Sequence, residues 1–279
     1  MKKIVITGVS SGIGYATAKI LTNSGYYVYG SVRNENDAER LSIELGDNFK
    51  ALIFDVTNLD SILKNVKIVQ SDLKSNEVIS GLVNNAGIAL GGPVSLIDTN
   101  IFRKQFDVNF FGLIDVTKAF LPLLGASKKS YYKGKIINIS SVSGLRAHPF
   151  VAPYSASKFA LEAFSDSLRR ELLIYGVDVV LIEPGPIKTA IWDKTPDPDN
   201  NEFTNTDFEP ALRKFYNLFI KMGKKGLDPD IIGNCVKNIL QNSKPPIRHI
   251  ITPNKFLNYT LESFIPGRLY DKIIAKSLG

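Results

Sequence analysis

The chain alternates between two patterns, and that alternation limits its fold more than any single residue does. Short runs of β-branched and aliphatic residues begin at Lys3 (KIVIT), Tyr27 (YVYGSV), Phe49 (FKALIFDV) and Ile79 (ISGLVNN). They continue at Gly134 (GKIINIS), Val177 (VDVVLIEP) and Arg248 (RHIIT). Between them lie helix-patterned stretches at 12–23, 37–45, 59–73, 98–124 and 153–175. Strands joined through helices run parallel by right-handed crossovers, with helices on both faces of the sheet. The strands are almost wholly apolar, as expected of strands buried on both sides. The pattern predicts one α/β domain over 1–279, a doubly wound parallel sheet of about seven strands. A polar, proline-punctuated segment, DKTPDPDNNEFTNTDFEP, breaks the alternation after the sixth run. Long loops within compact domains are commonly functional or mobile, and a mobile substrate loop is expected near 190–226.

Composition narrows the function classes. Cys235 is the single cysteine, so no internal disulfide forms, which fits a reducing, cytoplasmic compartment. With only His148 and His249 beside it, a zinc-type metal site is not expected. The apolar run at the N-terminus is too short for a signal peptide, and no apolar run is long enough to cross a bilayer. Net charge is +7, yet residues 211–279 hold 12 Lys or Arg against four Asp or Glu. No nucleic-acid motif accompanies that surplus. An anionic cofactor or a membrane surface suits it better.

The first strand runs into TGVSSGIG, which places Gly8, Gly12 and Gly14 at a strand-to-helix turn. Glycines there allow a tight turn and a close backbone approach to a pyrophosphate, while the helix N-terminus offers free amides and a positive dipole end. Further on, Tyr154 and Lys158 stand four residues apart in YSASK, side-by-side neighbours on a helix. A nearby cation favours the phenolate, so the pair can carry a proton near neutral pH. Each signal has a plain alternative, a helix cap or a solvated helix face.

Together, TGVSSGIG, NNAG at 84–87, YSASK at 154–158 and PG at 184–185 resemble the short-chain dehydrogenase/reductase family, in the family's order. The resemblance runs from the first strand to about Ile191 and sits nearest the hydroxysteroid and retinol dehydrogenase-like branches. It implies a Rossmann fold that binds a dinucleotide through Gly8, Ser10, Ser11, Gly12, Ile13 and Gly14. Asp55 and Val56 resemble the adenine contacts, and Asn85, Ala86 and Gly87 the segment flanking the adenosine ribose. Pro184, Gly185, Ile187 and Thr189 match positions bordering the nicotinamide. At the end of the second strand an NAD site usually carries an acid. Val32 and Arg33 stand there instead, and a guanidinium suits a 2′-phosphate, so NADP is expected over NAD.

The same resemblance assigns the chemistry. Tyr154 is the expected acid in reduction and base in oxidation. Lys158 favours its phenolate and holds the nicotinamide ribose. Ser141, 13 residues before Tyr154, bonds the substrate oxygen, with Ser140 and Ser143 as rivals. Asn109 in FDVNFFG matches an asparagine that kinks its helix and orders a relay water. His148, Val151 and Trp192 are expected to flank the substrate opening. The expected activity interconverts an apolar alcohol and its carbonyl, steroid-, retinoid- or lipid-like. The alternatives are a 3-oxoacyl-thioester reductase or a dinucleotide-sensing protein without catalysis, although a sensor has no need of proton-transfer groups. The family often forms homodimers or homotetramers through the helices before and bearing the tyrosine, with Phe159, Leu161, Phe164 and Leu168 as candidate contacts. In the tail, 253–279, Arg268, Lys272 and Lys276 form a basic stripe beside an apolar face. That pattern suits peripheral membrane contact or docking on the chain's own domain.

Overall fold

The computed structural model describes residues 1–189, 197, 201–254 and 265–279. All seven apolar runs form strands: β1 (Lys3–Ile6), β2 (Tyr27–Val32), β3 (Phe49–Ile53), β4 (Gly81–Asn84), β5 (Lys135–Ile139), β6 (Asp178–Pro184) and β7 (Arg248–Ile251). Every neighbouring pair is parallel, in the order β3-β2-β1-β4-β5-β6-β7. The order reverses direction between β1 and β4. At such a switch point the loops at the strands' carboxyl ends part, leaving a crevice where ligands bind in this class of sheet.

Helices α1 (Gly12–Asn23), α2 (Glu35–Leu45) and α3 (Leu59–Ser71) follow the first three strands. Asn34 caps α2, its Oδ1 accepting the Asp37 amide at 2.8 Å. Asn58 does the same for α3, accepting the Ser61 amide at 2.9 Å. The stretch expected as one helix over 98–124 is interrupted. It forms α4 (Thr99–Phe106), a π-helical segment over Asp107–Phe111 and α5 (Gly112–Phe120). The tyrosine lies on α6 (Ala152–Leu172), and α7 (Glu209–Lys224), α8 (Asp230–Gln241) and α9 (Gly267–Leu278) complete the chain.

Two apolar layers sandwich the sheet. Leu21, Val28, Ile137, Ile182 and Val236 belong to one, beneath α1, α2 and α8. Tyr29, Leu82, Val116, Phe120 and Ile136 belong to the other, beneath α3, α5 and α6. α8 shows why the first layer is tight: a Cβ on Gly233 would lie 3.1 Å from Thr17 Cα on α1. Among the described residues no helix is long and apolar enough to cross a membrane.

Candidate active site

The loop after β1 is shaped by glycine. Gly8 and Gly12 adopt φ of 71° and 58°, a region that L side chains enter only with strain. Gly14 has an ordinary backbone, but a Cβ there would lie 2.1 Å from the Gly8 carbonyl oxygen. The first turn of α1 carries no acid, and the Ser11 side chain makes no capping bond. Its amides and dipole therefore face the crevice. Ile13 points the other way and packs on the core. These features fit a dinucleotide pyrophosphate: a cradle that side chains would fill, closed by a helix N-terminus.

Neighbouring elements brace the cradle. Asn85 Nδ2 donates to the carbonyls of Thr7 and Gly8 at 2.9 and 3.0 Å, and the Asn85 and Ala86 amides donate to Thr7 Oγ1. Ser31 Oγ accepts the Gly8 amide at 2.9 Å. Arg40 on α2 donates to the Ser10 carbonyl at 2.8 Å. Thr7, Ser31 and Arg40 are not apparent from motif reading, because each acts on backbone groups of a distant turn. A Cβ on Gly12 would meet Thr189 at 3.1 Å, so the β6 loop covers the cradle's far side.

Beyond the ends of β2 and β3, a cavity of about 510 Å³ is lined by Arg33, Asp55, Thr57, Ile88, Lys104 and Asp107, among others. Asp55 Oδ1 accepts from the amide and hydroxyl of Thr57, which fixes the turn. Val56 is buried, as is Val32. Lys104 is a second cation on this cavity, and no sequence motif marks it.

At the other end, β5, α6 and β6 bring the expected catalytic residues together. Ser141 ends β5's extended run and is 7% exposed. Its Oγ accepts the Ser143 amide at 3.1 Å and donates to the Pro184 carbonyl at 3.4 Å, and the Tyr154 side chain lies close by. Lys158 Nζ donates to the Ile139 carbonyl at 2.8 Å and lies 5.8 Å from the Tyr154 ring centre. The proximity is as expected, but the electrostatics differ from the simple picture of a cation acidifying a phenol. Burial pushes the Tyr154 phenol up, and the nearby Ser141 hydroxyl opposes it. Burial also pushes Lys158 down to about 8, while Glu162 opposes that shift.

Asn109 sits in the π-helical segment and is buried. Its Oδ1 accepts the Ile88 amide at 2.8 Å and its Nδ2 donates to the Ile88 carbonyl at 2.9 Å. It also reaches Ser157 Oγ at 3.4 Å, which ties α4–α5 to the tyrosine helix. A Cβ on Gly87 would lie 3.3 Å from Asn109 Oδ1. Pro184 and Gly185 end β6; the Gly185 amide donates to Ile251, and its missing Cβ leaves room for Thr252. Ile187 is buried and bridges to Leu227.

One flank of Tyr154 is apolar. Val151, Phe203, Leu212, Phe215 and Tyr216 form a cluster that Phe150, Tyr154, Phe219 and Leu278 join. Phe150 holds φ at 62°, a strained conformation fixed between Gly91, Phe208 and Phe215. His148 is half-buried and pushed down, by desolvation first and then by the Arg146 charge. It lines a second cavity of about 460 Å³ with Pro149, Tyr270 and Ile274. The Arg146 guanidinium stacks 4.3 Å above the Tyr270 ring, so the tail helix α9 folds back onto this loop. Trp192 lies outside the described residues.

A sequence model of the short chain dehydrogenase family matches residues 2–200. The chain belongs to this family. An NADPH-dependent 3-dehydrocapnine reductase of Ornithobacterium rhinotracheale is 39% identical over 278 residues, covering 100% of this chain and 98% of the relative. A 3-ketodihydrosphingosine reductase of Bacteroides thetaiotaomicron is 33% identical, covering 90% and 87%. A crystal structure of a short-chain dehydrogenase from Streptomyces avermitilis superposes with a TM-score of 0.76 at 27% identity, covering 94% and 92%. The enzyme is thus an oxidoreductase built on the doubly wound Rossmann sheet.

Proposed function

We propose that this dehydrogenase reduces a ketone on a lipid-like substrate with NADPH, and that Tyr154 delivers the proton. The observation that carries the reading is the meeting of Ser141, Tyr154 and Lys158 at one end of a glycine-lined crevice, on the edge of an apolar cluster. Bound at the crevice, NADPH supplies the hydride. The chain's own groups handle the oxygen. Ser141 donates to the carbonyl oxygen as negative charge develops, the kind of placed donor that contributes most to such reactions. Tyr154 passes its proton to that oxygen, and Lys158 stabilises the phenolate left behind. Asn109 holds the Ile88 turn and the Ser157 end of α6 in register beneath them.

Arg33 and the absence of an acid at the end of β2 favour NADP, in keeping with the NADPH dependence named for the relative from Ornithobacterium. Gly8, Gly12 and Gly14 at the turn after β1, with Arg33 and Asp55 on the neighbouring cavity, support the cofactor reading, whereas Ile13, Val56 and Ile187 are held in the core. Both curated relatives are named for reduction of a dehydro or keto compound, and the second for a sphingoid one. Phe150, Phe215 and Tyr216 beside Tyr154 suit a long apolar chain.

The outer faces of α7 and α9 support a lipid setting. Leu218 and Met222 on α7, and Leu269 and Ile273 on α9, are exposed among Lys214, Lys221, Lys225, Arg268, Lys272 and Lys276. Their inner faces, through Leu212, Phe215 and Leu278, pack in the cluster that reaches Tyr154. An apolar ridge edged with lysines suits an anionic bilayer surface. Phe111 and Phe159 are exposed and favour contact between two copies, whereas Leu161 and Leu168 turn inward and do not contribute.

Oxidation of NADPH followed at its absorbance maximum across long-chain ketones, steroids, retinal, 3-oxoacyl thioesters and small ketones tests the reading. Each buried methylene contributes about 0.8 kcal/mol, so a long-chain ketone should exceed a small one by well over tenfold in kcat/KM. Fastest turnover of a small polar ketone would overturn it.

A further inference from the structure

Behind Lys158, one guanidinium gathers three carboxylates. Arg248 opens β7, and its Nη1 contacts Glu162 Oε2. The same nitrogen lies 3.1 Å from Glu183 Oε1, and Nη2 lies 3.1 Å from Asp166 Oδ2. Glu162 and Asp166 stand on α6, one and two turns beyond Lys158. Glu183 precedes Pro184 on β6 and is 0% exposed. Burial, then the charge of Glu162, pushes Glu183 up to about 7. Of the three carboxylates, Glu183 is therefore the one whose charge the crowding disfavours most.

Lys158 needs such a neighbour. It is 6% exposed, and its hydrogen bond goes to a neutral carbonyl. Burial works against its charge, and Glu162, four residues on and facing the same way, works for it. Other charged or titratable groups around Glu162 are Asp166 on α6, Glu183 on β6, and Arg248 and His249 on β7. Arg169 and Arg170 pair with Asp166 farther along α6. Glu162 is the acid of this group one turn from the ammonium.

We infer that Glu162, anchored by Arg248, is a positioning residue that keeps the Lys158 ammonium charged while Tyr154 gives up its proton. The inference rests on the proposed roles of Tyr154 and Lys158. It links a strand at the sheet's edge to the proton step without touching substrate.

The test is the pH profile of ketone reduction by the full chain. Loss of the Lys158 proton sets the alkaline limb. E162Q keeps the side-chain shape and an acceptor for Arg248 but removes the charge. Its limb should move toward acid by roughly one pH unit, a tenfold loss at fixed alkaline pH. E162D, which restores the charge, should bring the limb back toward wild type. D166N also removes an Arg248 ion pair, but a turn farther from Lys158, and should leave the limb in place. An unmoved limb in folded E162Q, or an equal shift in D166N, overturns the inference. Should E162Q fail to fold, R248K serves instead: loosening the anchor should move the limb the same way, and an unmoved limb counts against the inference. Y154F separates the two readings. If it remains active, the proposed role of Tyr154 fails; if it is inactive while the limb of E162Q stays, only the role of Glu162 fails.

Discussion

Replacing Gly14 with alanine tests whether the loop after β1 is a fitted cradle. An alanine Cβ would lie 2.1 Å from the Gly8 carbonyl oxygen and 2.5 Å from Asn85 Nδ2. Carbon and oxygen rarely approach closer than roughly 3.3 Å, so the helix or the loop must move by about 1 Å. Such overpacking costs about 1–3 kcal/mol. The displaced atoms are themselves bonded, Asn85 Nδ2 to the Thr7 and Gly8 carbonyls, and loosening those bonds adds about 1–2 kcal/mol. Against this, alanine in place of a helical glycine returns about 1 kcal/mol. A net loss near 2–3 kcal/mol lowers the melting temperature of a chain this size by roughly 5–10 °C. Affinity for NADPH, read by fluorescence titration, should fall at least tenfold, because the loop that moves is the proposed pyrophosphate cradle. Gly25→Ala is the control: φ is +79° there but nothing lies within 4 Å, so it should cost about 1–2 kcal/mol of strain and leave NADPH binding alone. A G14A variant with wild-type melting and wild-type NADPH affinity would refute the cradle.

Glu183 predicts a pH dependence of stability. Its folded value, about 7, lies above the ordinary 4.5, so its contribution is complete below 4.5 and is lost as pH rises through 7. Glu183→Gln should flatten the fall in melting temperature between pH 5 and 8, and an unchanged slope would contradict the buried acid. Replacing Arg33 with glutamine should weaken NADPH binding at least about tenfold while leaving NADH nearly unaffected, since a lost charged hydrogen bond costs about 1.5–3 kcal/mol. Equal losses for both cofactors would argue against a 2′-phosphate contact. If α7 and α9 meet lipid, anionic vesicles should sediment the enzyme and neutral vesicles should not. Changing Lys214, Lys221, Lys272 and Lys276 to glutamine should abolish that, and sedimentation that ignores charge would count against it.

The layers were legible because strands buried on both faces must be largely apolar; strands β1–β6 read so, while the half-buried edge strand β7, which opens with Arg248 and His249, is the weakest of the seven signals. Boundaries were less so. β3 ends at Ile53 although the apolar run continues to Val56, because Asp55 turns the chain into the cavity wall. The stretch at 98–124 reads as one helix by periodicity; the π-helical insertion that turns Asn109 toward Ile88 leaves no mark in spacing, and only the family resemblance, which gives Asn109 a helix kink, points to it. α8 lies outside the stretches that the strand–helix alternation predicts, although Ile232, Val236, Ile239 and Leu240 recur at helical spacing and are buried. The tail's two readings, membrane and domain, are not exclusive: Tyr270, Ile274 and Leu278 face the protein while the basic stripe faces outward. The Arg248 cluster was illegible for a simple reason. Its carboxylates at Glu183 and Glu162 stand 65 and 86 residues away in sequence and meet only through the β6–β7 pairing and the packing of α6. Motifs report chemistry that is local in the chain, whereas charge balance in the interior is set by the fold.

The most direct measurement is turnover and NADPH binding of Tyr154→Phe side by side. The account predicts NADPH affinity within about twofold of wild type and a fall in kcat of at least about a hundredfold, the usual contribution of a placed acid or base. A variant that still turns over ketone at near the wild-type rate would contradict it.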